Sequence, residues 1–398
     1  MAFMAASAIL FAVLTSRWLG PSDRGIIVVT TTTSSLLMLL GSLGVGTGGR
    51  VLLARTPSLS IRLYLALAAR LSAFHSSTAC VLGLGILWLT KSLDDPAIGA
   101  LFVPYAVLVL FSYLLRECHH GLGLHTVAVR GEIVTTSTQT AVVLAAATLD
   151  ALNLRIVLGG MVLGQLVQVF MHLRTLKREF RVRDATSSVQ IAEETGGSVV
   201  RFSRHAVPVI FGQAFVIRGD RLILGFMSSP AAVGIYGVAA TFTELLWLVS
   251  NGVGQVAFKR STETGQGRSS DRHRRTALVV TALGSGLLCA AAPWLVPFLL
   301  GDAFRGSISM IFVLGVAALP MASYQIDVAV LNGLGCMKRA GVITGSGSVA
   351  LGGLCAVLVP LAGAMGAACA SLVAYSLLAI LARMEIKRTS MDEEAKRA

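Results

Sequence analysis

Apolar segments of about 20 residues, separated by short polar connections, run through the whole chain and limit its possible folds more than any other feature. A helix of about 20 apolar residues is long enough to cross the hydrocarbon core of a bilayer. Hydrophobic residues make up 55% of the 398 residues and charged residues only 13%, with a mean hydropathy of +0.76. Soluble domains usually carry about 25% charged residues. The sequence therefore predicts an all-α polytopic membrane protein.

The spacing of the segments predicts about twelve transmembrane helices in two pseudo-symmetric six-helix bundles. The longest polar connection falls near the middle of the chain, between the sixth and seventh segments. The predicted division is an N-terminal bundle over 1–173, a cytoplasmic linker over 174–204, a C-terminal bundle over 205–382 and a cytoplasmic tail over 383–398.

An internal repeat supports the division into two halves. Gly25 placed on Gly234, an offset of 209 residues, brings further residues onto identical ones without gaps. These matching residues are Ile26, Val29, Thr32, Leu36, Leu37 and Leu39. Apolar segments often match by chance, so the repeat is a hypothesis. Two parallel six-helix halves are a known transporter architecture, in which the substrate path lies at their interface.

Basic residues predict the orientation of the chain in the membrane. With a cytoplasmic N-terminus, the inner connections and tail hold 25 Lys and Arg, the outer connections hold 5, and the remaining 3 of the 33 lie within spans. Cytoplasmic loops carry the excess of Lys and Arg in membrane proteins. Both termini are therefore predicted to face the cytoplasm.

Charged residues interrupt the seventh and eighth segments. Arg218, Asp220 and Arg221 lie in the seventh segment, and Glu244 lies in the eighth. Asn251 and Gln255 follow Glu244 by seven and eleven residues, which places all three on one face of a continuous helix. Intramembrane charge is costly against lipid and is often functional. We expect these six residues to line a substrate path, although a structural ion pair, snorkelling arginines or interhelical hydrogen bonds explain the same pattern.

Three further charged residues are candidates for the same path. Asp327 lies seven residues after Pro320, on a helix face shared with Ser323 and Tyr324. A carboxylate on a proline-kinked helix is suited to gating or to coupling transport to a cation. An ion pair with a neighbouring helix is an equal alternative for Asp327. Arg17 and Arg24 flank the first outer turn, where anchoring at the membrane interface is the favoured interpretation.

Other classes of site receive little support from the sequence. The six cysteines are scattered without a C-x-x-C pair, which indicates buried apolar residues rather than disulfides. Cys118, His119, His120 and His125 match no zinc spacing, so no metal is expected. The basic residues cluster between apolar segments, which argues against nucleic acid as a partner. No Walker motif is present, so neither ATP hydrolysis nor any cofactor is expected.

Several short motifs resemble those of the bacterial oligosaccharide flippases, in the superfamily that also holds the MATE multidrug exporters and the lipid II flippases. In the centre of the chain the matching residues are Asp220-Arg221, Leu224-Gly225 and Gly234-Ile235-Tyr236. Elsewhere they are Leu19-Gly20-Pro21 with Gly25, Gly41–Gly44, Leu299–Phe304, Leu331–Gly335 with Lys338-Arg339, and Pro360–Ala368. The resemblance thus covers most of the chain.

The resemblance implies a flippase rather than an enzyme. Its expected substrate is a polyprenyl-pyrophosphate-linked oligosaccharide, moved across the bacterial cytoplasmic (inner) membrane for O-antigen, capsule or exopolysaccharide synthesis. Membrane lipids, a polysaccharide polymerase and other assembly proteins are the implied partners. Arginine suits such a substrate because its planar guanidinium pairs with phosphate oxygens.

Two other functions remain open at the level of sequence. A MATE-type cation-coupled exporter of small molecules would use Asp220, Glu244 and Asp327, but Arg218 and Arg221 count against an acidic cavity. An integral-membrane polysaccharide polymerase or glycosyltransferase usually needs a large outer loop or a soluble domain. Every predicted outer loop is short, which argues against such an enzyme.

The orientation can be tested by labelling. Single cysteines introduced at Ser188 and Ser269, in a version without the six native cysteines, are expected to resist an impermeant thiol reagent in intact cells, because both positions lie in predicted cytoplasmic loops. Both should label after permeabilisation. Labelling of either position in intact cells would reverse the predicted orientation.

Overall fold

The computed structural model describes residues 2–55, 61–184, 196–203, 207–264 and 271–397, and these residues form helices joined by short turns and connections, without a strand. The helices in chain order are α1 (Ala2–Gly41), α2 (Val45–Arg55), α3 (Ile61–Thr78), α4 (Leu84–Leu89), α5 (Pro96–Gly121), α6 (His125–Thr148), α7 (Leu154–Asp184), α8 (Gly196–Ser203), α9 (Val207–Met227), α10 (Pro230–Glu244), α11 (Trp247–Thr264), α12 (Asp271–Leu300), α13 (Ser307–Gly333) and α14 (Met337–Arg397). A π-helical turn, Ala79–Gly83, joins α3 to α4, and a 3₁₀ turn, Asp302–Phe304, precedes α13. The predicted all-α fold class is confirmed.

Two of the helices are sharply kinked at a glycine. Gly20 in α1 has φ +78°, and Gly363 in α14 has φ +56°, a region of backbone conformation that glycine adopts without strain. Pro21 directly follows the first kink, and Pro360 precedes the second by three residues. At 1.5 Å per residue, the 40 residues of α1 and the 61 of α14 are each much longer than one bilayer crossing. Each kinked helix therefore provides two segments.

The structure is that of a polytopic membrane protein. By length and composition, seven of the described helices can cross a membrane, or eight if α10 and α11, bent by 47° at a short break, count as one span. This count is below the predicted twelve because α1 and α14 are each counted once although kinked. In addition, α6 is rich in threonine, and α9 carries three charged residues.

The chain forms two compact units. The first, here called the C-terminal unit, comprises Gly20–Val28 and Gly212–Ala398, and the N-terminal unit comprises Ala2–Leu19 and Val29–Phe211. The core of the N-terminal unit includes Leu110 and Leu114 of α5, and Tyr64 of α3 donates a hydrogen bond to the Leu114 carbonyl at 2.9 Å. The core of the C-terminal unit includes residues of α11, α13 and α14, together with Val216 of α9 and Ala277 of α12.

The predicted domain limits of 173, 204 and 382 stay predictions. Helix α7 continues through the start of the proposed linker as far as Asp184, and α8 lies within the same interval. Residues 185–195, 204–206 and 265–270, and with them the labelling positions Ser188 and Ser269, lie outside the described residues.

A reciprocal backbone contact holds Gly20–Val28 in the C-terminal unit. A methyl group at Gly25 would overlap the carbonyl of Pro230, and a methyl group at Gly234 would overlap the carbonyl of Pro21. The offset of 209 residues that relates the two glycines also relates the two prolines. Glycine is needed at both crossing positions because the two helix backbones touch there.

This contact predicts a large effect from a single methyl group. Gly25→Ala and Gly234→Ala should each destabilise the protein by about 1–3 kcal/mol, because a rigid backbone must move to make room. The thermal unfolding midpoint in detergent measures the effect. Gly286→Ala in α12 is the matched control, since nothing lies within 4 Å of its added methyl group. Equal midpoints for all three variants would contradict the close crossing.

Candidate functional site

Asp220 and Arg221 are both buried where α9 meets other helices of the C-terminal unit, with 2% and 7% of their surface exposed. The Asp220 carboxylate accepts hydrogen bonds from the hydroxyls of Tyr236 in α10, at 2.5 Å, and Ser371 in α14, at 3.0 Å. It also accepts the backbone N–H of Arg221 at 2.7 Å. Asp220 therefore links three helices and has its own set of donors.

The Arg221 guanidinium forms an ion pair with Glu244, to which it donates a hydrogen bond through Nη2. The partner of the Arg221 side chain thus comes from α10, and the neighbouring Asp220 accepts from Arg221 only its backbone N–H. Glu244 is the last residue of α10, immediately before the 47° bend, and 26% of its side chain is exposed. The counterion of Arg221 therefore lies at a bend and is the more accessible of the two partners.

Arg24 adds a second buried arginine to this region. It is only 6% exposed and lies close enough to Arg221 for the two positive charges to repel each other. Anchoring at the membrane interface, which the sequence favoured for Arg24, does not agree with this burial. Arg17, for which the same role was favoured, is exposed and belongs to the N-terminal unit.

A small cavity lies among these groups. Its volume, about 10 Å³ as traced by the centre of a water-sized sphere, is enough for about one water molecule. Its lining residues come from α9, α10, α11, α13 and α14, and they are Ile217, Asp220, Arg221, Tyr236, Ala240, Thr243, Glu244, Trp247, Leu314 and Tyr375. The site is closed in this conformation, and a larger ligand enters only if some lining group moves.

The shared face predicted for Glu244, Asn251 and Gln255 stays a prediction. The prediction assumed one continuous helix, but the chain bends by 47° between α10 and α11. Both amide side chains are exposed on α11. The buried polar contact of α11 comes instead from Ser250, whose hydroxyl donates to Gln325 of α13 at 2.8 Å. Arg218, the third charged residue of α9, is partly buried.

Asp327 is the centre of a second buried charge cluster. Only 1% of its side chain is exposed, and one of its oxygens lies 3.3 Å from Nε of Arg274 in α12 and 3.8 Å from Nη1 of Arg383 in α14. Arg274 also donates to the hydroxyl of Ser323 at 2.6 Å, one helical turn before Asp327. The alternative that the sequence left open, an ion pair with a neighbouring helix, describes Asp327 in this structure.

Several residues of the two clusters were missed by the sequence analysis. Tyr236 lies in the quoted Gly-Ile-Tyr motif, which was the available signal. Arg274 and Arg383 were counted among the cytoplasmic loop residues, because a helix end and a loop look alike in sequence. Trp247 and Ser371 gave no signal at all.

Two histidines lie against each other inside the N-terminal unit. The rings of His119 and His172 are both fully buried, with their centroids 4.6 Å apart. His119 donates through Nδ1 to the Leu115 carbonyl at 2.8 Å. Nowhere in the described ranges do three His, Cys, Asp or Glu side chains come together in a way that could hold a metal ion.

Comparison with solved structures identifies the fold. An inward-facing MATE family multidrug resistance transporter of the MOP superfamily aligns over 97% of this chain and 96% of its own, with a TM-score of 0.74 and 14% identity. The lipid II flippase MurJ, in an inward closed conformation, aligns over 98% and 88%, with a TM-score of 0.77 and 11% identity. A eukaryotic MATE transporter aligns over 99% of this chain and 97% of its own, with a TM-score of 0.64 and 14% identity. The chain thus has the fold of these transporters. No family model and no curated protein matches the sequence.

The Asp327 cluster predicts a measurable contribution to stability. Asp327→Asn should destabilise the C-terminal unit by about 3–5 kcal/mol, because it leaves two arginines beside a buried site without their carboxylate. Thermal unfolding in detergent measures the loss. Asp302→Asn is the matched control, since Asp302 pairs with Arg305 at 2.7 Å on an exposed turn, where an ion pair contributes little. A loss no larger than that of the control would contradict the buried pairing.

Proposed function

We propose that this protein is a flippase that moves a polyprenyl-pyrophosphate-linked oligosaccharide across the bacterial cytoplasmic membrane for surface polysaccharide synthesis. The observation that carries the proposal is the pairing of buried Arg221 with Glu244, a counterion at a helix bend, beside a second buried arginine, Arg24. The fold shared with MATE transporters and MurJ supports the transport part of the proposal.

The two carboxylates near Arg221 have different roles. Asp220 accepts hydrogen bonds from Tyr236 and Ser371, which satisfy it whether or not a ligand is present. Glu244 has Arg221 as its ion-pair partner and is partly exposed. An incoming anion therefore has one exchangeable position at this site, which is that of the Glu244 carboxylate.

A pyrophosphate fits this exchange chemically. Guanidinium pairs with phosphate oxygens through two parallel hydrogen bonds, whereas the ammonium of lysine acts as a point charge. Arg24 does not line the cavity, but its positive charge near Arg221 favours an anion over a cation at this site. The substrate thus replaces Glu244 as the counterion of Arg221, and the released Glu244 carboxylate lies next to the bend between α10 and α11.

The exchange also gives a route from binding to conformational change. A buried ion pair that loses one partner is unstable, by about 3–5 kcal/mol in soluble proteins. When the substrate pairs with Arg221, the Glu244 carboxylate loses its partner and is more stable in contact with water. Its movement towards water favours a change in the angle between α10 and α11. A ligand shifts a conformational equilibrium only through such differential contacts.

A MATE-type exporter of small cations is the second candidate, and the fold supports it equally. The observation in its favour is the presence of three buried or partly buried carboxylates, Asp220, Glu244 and Asp327, in one unit. Each of the three already has cationic or hydroxyl partners within the described part of the chain. A cationic substrate would have to displace the buried Arg221 from Glu244, or an arginine from Asp327, whereas an anion displaces the more exposed Glu244 from Arg221.

Arginine substitutions test the proposal. Arg221→Ala should abolish export of the polysaccharide in cells while the protein remains inserted, and Arg221→Lys should restore export only in part, because lysine lacks the bidentate geometry. Arg155→Ala is the control, since Arg155 pairs with Asp95 on an exposed surface at 2.6 Å.

Asp220→Asn separates two versions of the mechanism. It should reduce export less than Arg221→Ala if Asp220 only fixes helix positions, and as severely if Asp220 carries a coupling proton. Full export by Arg221→Ala, and by the double variant Arg218→Ala/Arg221→Ala, would refute the proposal and shift attention to the carboxylates.

A further inference from the structure

Two buried N–H donors beside the small cavity have no acceptor among the described residues. They are Nε1 of Trp247 and Nε of Arg221, and both residues line the cavity. Each residue is only 7% exposed. Buried donors are almost always paired with a protein group, an ordered water or a ligand, because an unpaired one costs about 1–3 kcal/mol.

The side-chain oxygens that line the cavity already form hydrogen bonds with other groups. The Asp220 carboxylate is held by Tyr236 and Ser371, and Glu244 accepts from Nη2 of Arg221. The hydroxyl of Thr243 donates to carbonyls of its own helix, at 3.0 and 3.1 Å. No acceptor in the cavity lining is therefore directed at the two N–H groups.

The indole ring of Trp247 is held in a defined place. It packs edge-on against Tyr375, with the ring centroids 6.0 Å apart, and it belongs to the core cluster of the C-terminal unit. Trp247 is also the first residue of α11, immediately after the bend that follows Glu244. A change of the bend would therefore move the indole N–H relative to Arg221.

We propose that Trp247 Nε1 and Arg221 Nε together form a subsite for one phosphoryl oxygen of the substrate, which makes Trp247 a substrate-binding residue. This inference rests on the proposed function and refines it. Tryptophan and arginine only donate hydrogen bonds, so the subsite takes an acceptor and rejects an N–H or a cation. The cavity admits about one water-sized atom, which suits a single oxygen.

The subsite explains how an anion competes with Glu244. A carboxylate oxygen of Glu244 engages only Nη2 of Arg221. A phosphoryl group that enters the cavity gains the Nε donor of Arg221 and the Nε1 donor of Trp247 in addition. These contacts form only in the bound state, so they favour exchange of the counterion.

The test measures binding of farnesyl pyrophosphate to the full-length protein in detergent by isothermal titration calorimetry. Trp247→Phe keeps an aromatic ring and removes the N–H, and it should weaken binding about 10- to 100-fold, the usual effect of losing a hydrogen bond to a charged group. Trp294→Phe, at a tryptophan 75% exposed on α12, is the matched control and should bind like the parent protein.

The outcomes distinguish this inference from the function on which it rests. If Arg221→Ala loses binding and Trp247→Phe binds like the parent, the subsite is wrong, the donors are satisfied by water, and the proposed function stands. If the parent protein does not bind the pyrophosphate at all, the proposed function and the subsite both fail.

A second measurement keeps the inference testable if Trp247→Phe does not fold. In a chain with Trp18, Trp88 and Trp294 replaced by phenylalanine, Trp247 is the sole tryptophan and can be excited selectively over the tyrosines. Farnesyl pyrophosphate should change its emission with the dissociation constant found by calorimetry, and farnesol should not. Unchanged emission at saturating farnesyl pyrophosphate would overturn the subsite.

Discussion

The ion pair between Arg221 and Glu244 is the interaction on which the proposed site in the C-terminal unit depends. A charged side chain within a membrane protein is costly unless another group compensates it, and the compensation must come from within the protein. Glu244 provides it for Arg221, and the hydroxyls of Tyr236 and Ser371 provide it for Asp220. These contacts connect α9, α10 and α14 through two adjacent residues of one helix.

In the proposed function, the same rule gives the ion pair a second role in transport. A compensating charge can be exchanged for another of the same sign, and in this proposal the substrate pyrophosphate is exchanged for Glu244. Glu244 is the last residue of α10, and the bend and Trp247 follow directly. A movement of Glu244 during the exchange therefore acts on the angle between α10 and α11. The Asp327 cluster shows the contrasting case, in which one carboxylate lies between two arginines and has only 1% of its side chain exposed.

The sequence predicted the parts of this structure that depend on local chemistry. Apolar segment lengths predicted the helical membrane fold. The charged residues of α9 were identified as candidates because charge in an apolar segment is conspicuous. Residues that matter only through distant packing were missed, such as Trp247 and Ser371. The bend after Glu244 was missed as well, because Leu245 and Leu246 carry no helix-breaking signal, and the face predicted for Glu244, Asn251 and Gln255 assumed a continuous helix.

The central claim is that Arg221 binds substrate in addition to pairing with Glu244, and exchanging the two charges separates these roles. The variant Arg221→Glu/Glu244→Arg keeps an ion pair between α9 and α10 but moves the guanidinium to the end of α10. The decisive measurement is flipping of a fluorescent polyprenyl-pyrophosphate-linked oligosaccharide in liposomes that contain this variant, alongside its thermal unfolding midpoint. The account predicts a midpoint near that of the parent protein, well above that of Arg221→Glu alone, and no flipping. Flipping at the parental rate by the exchanged variant would show that the pair is purely structural and would contradict the account.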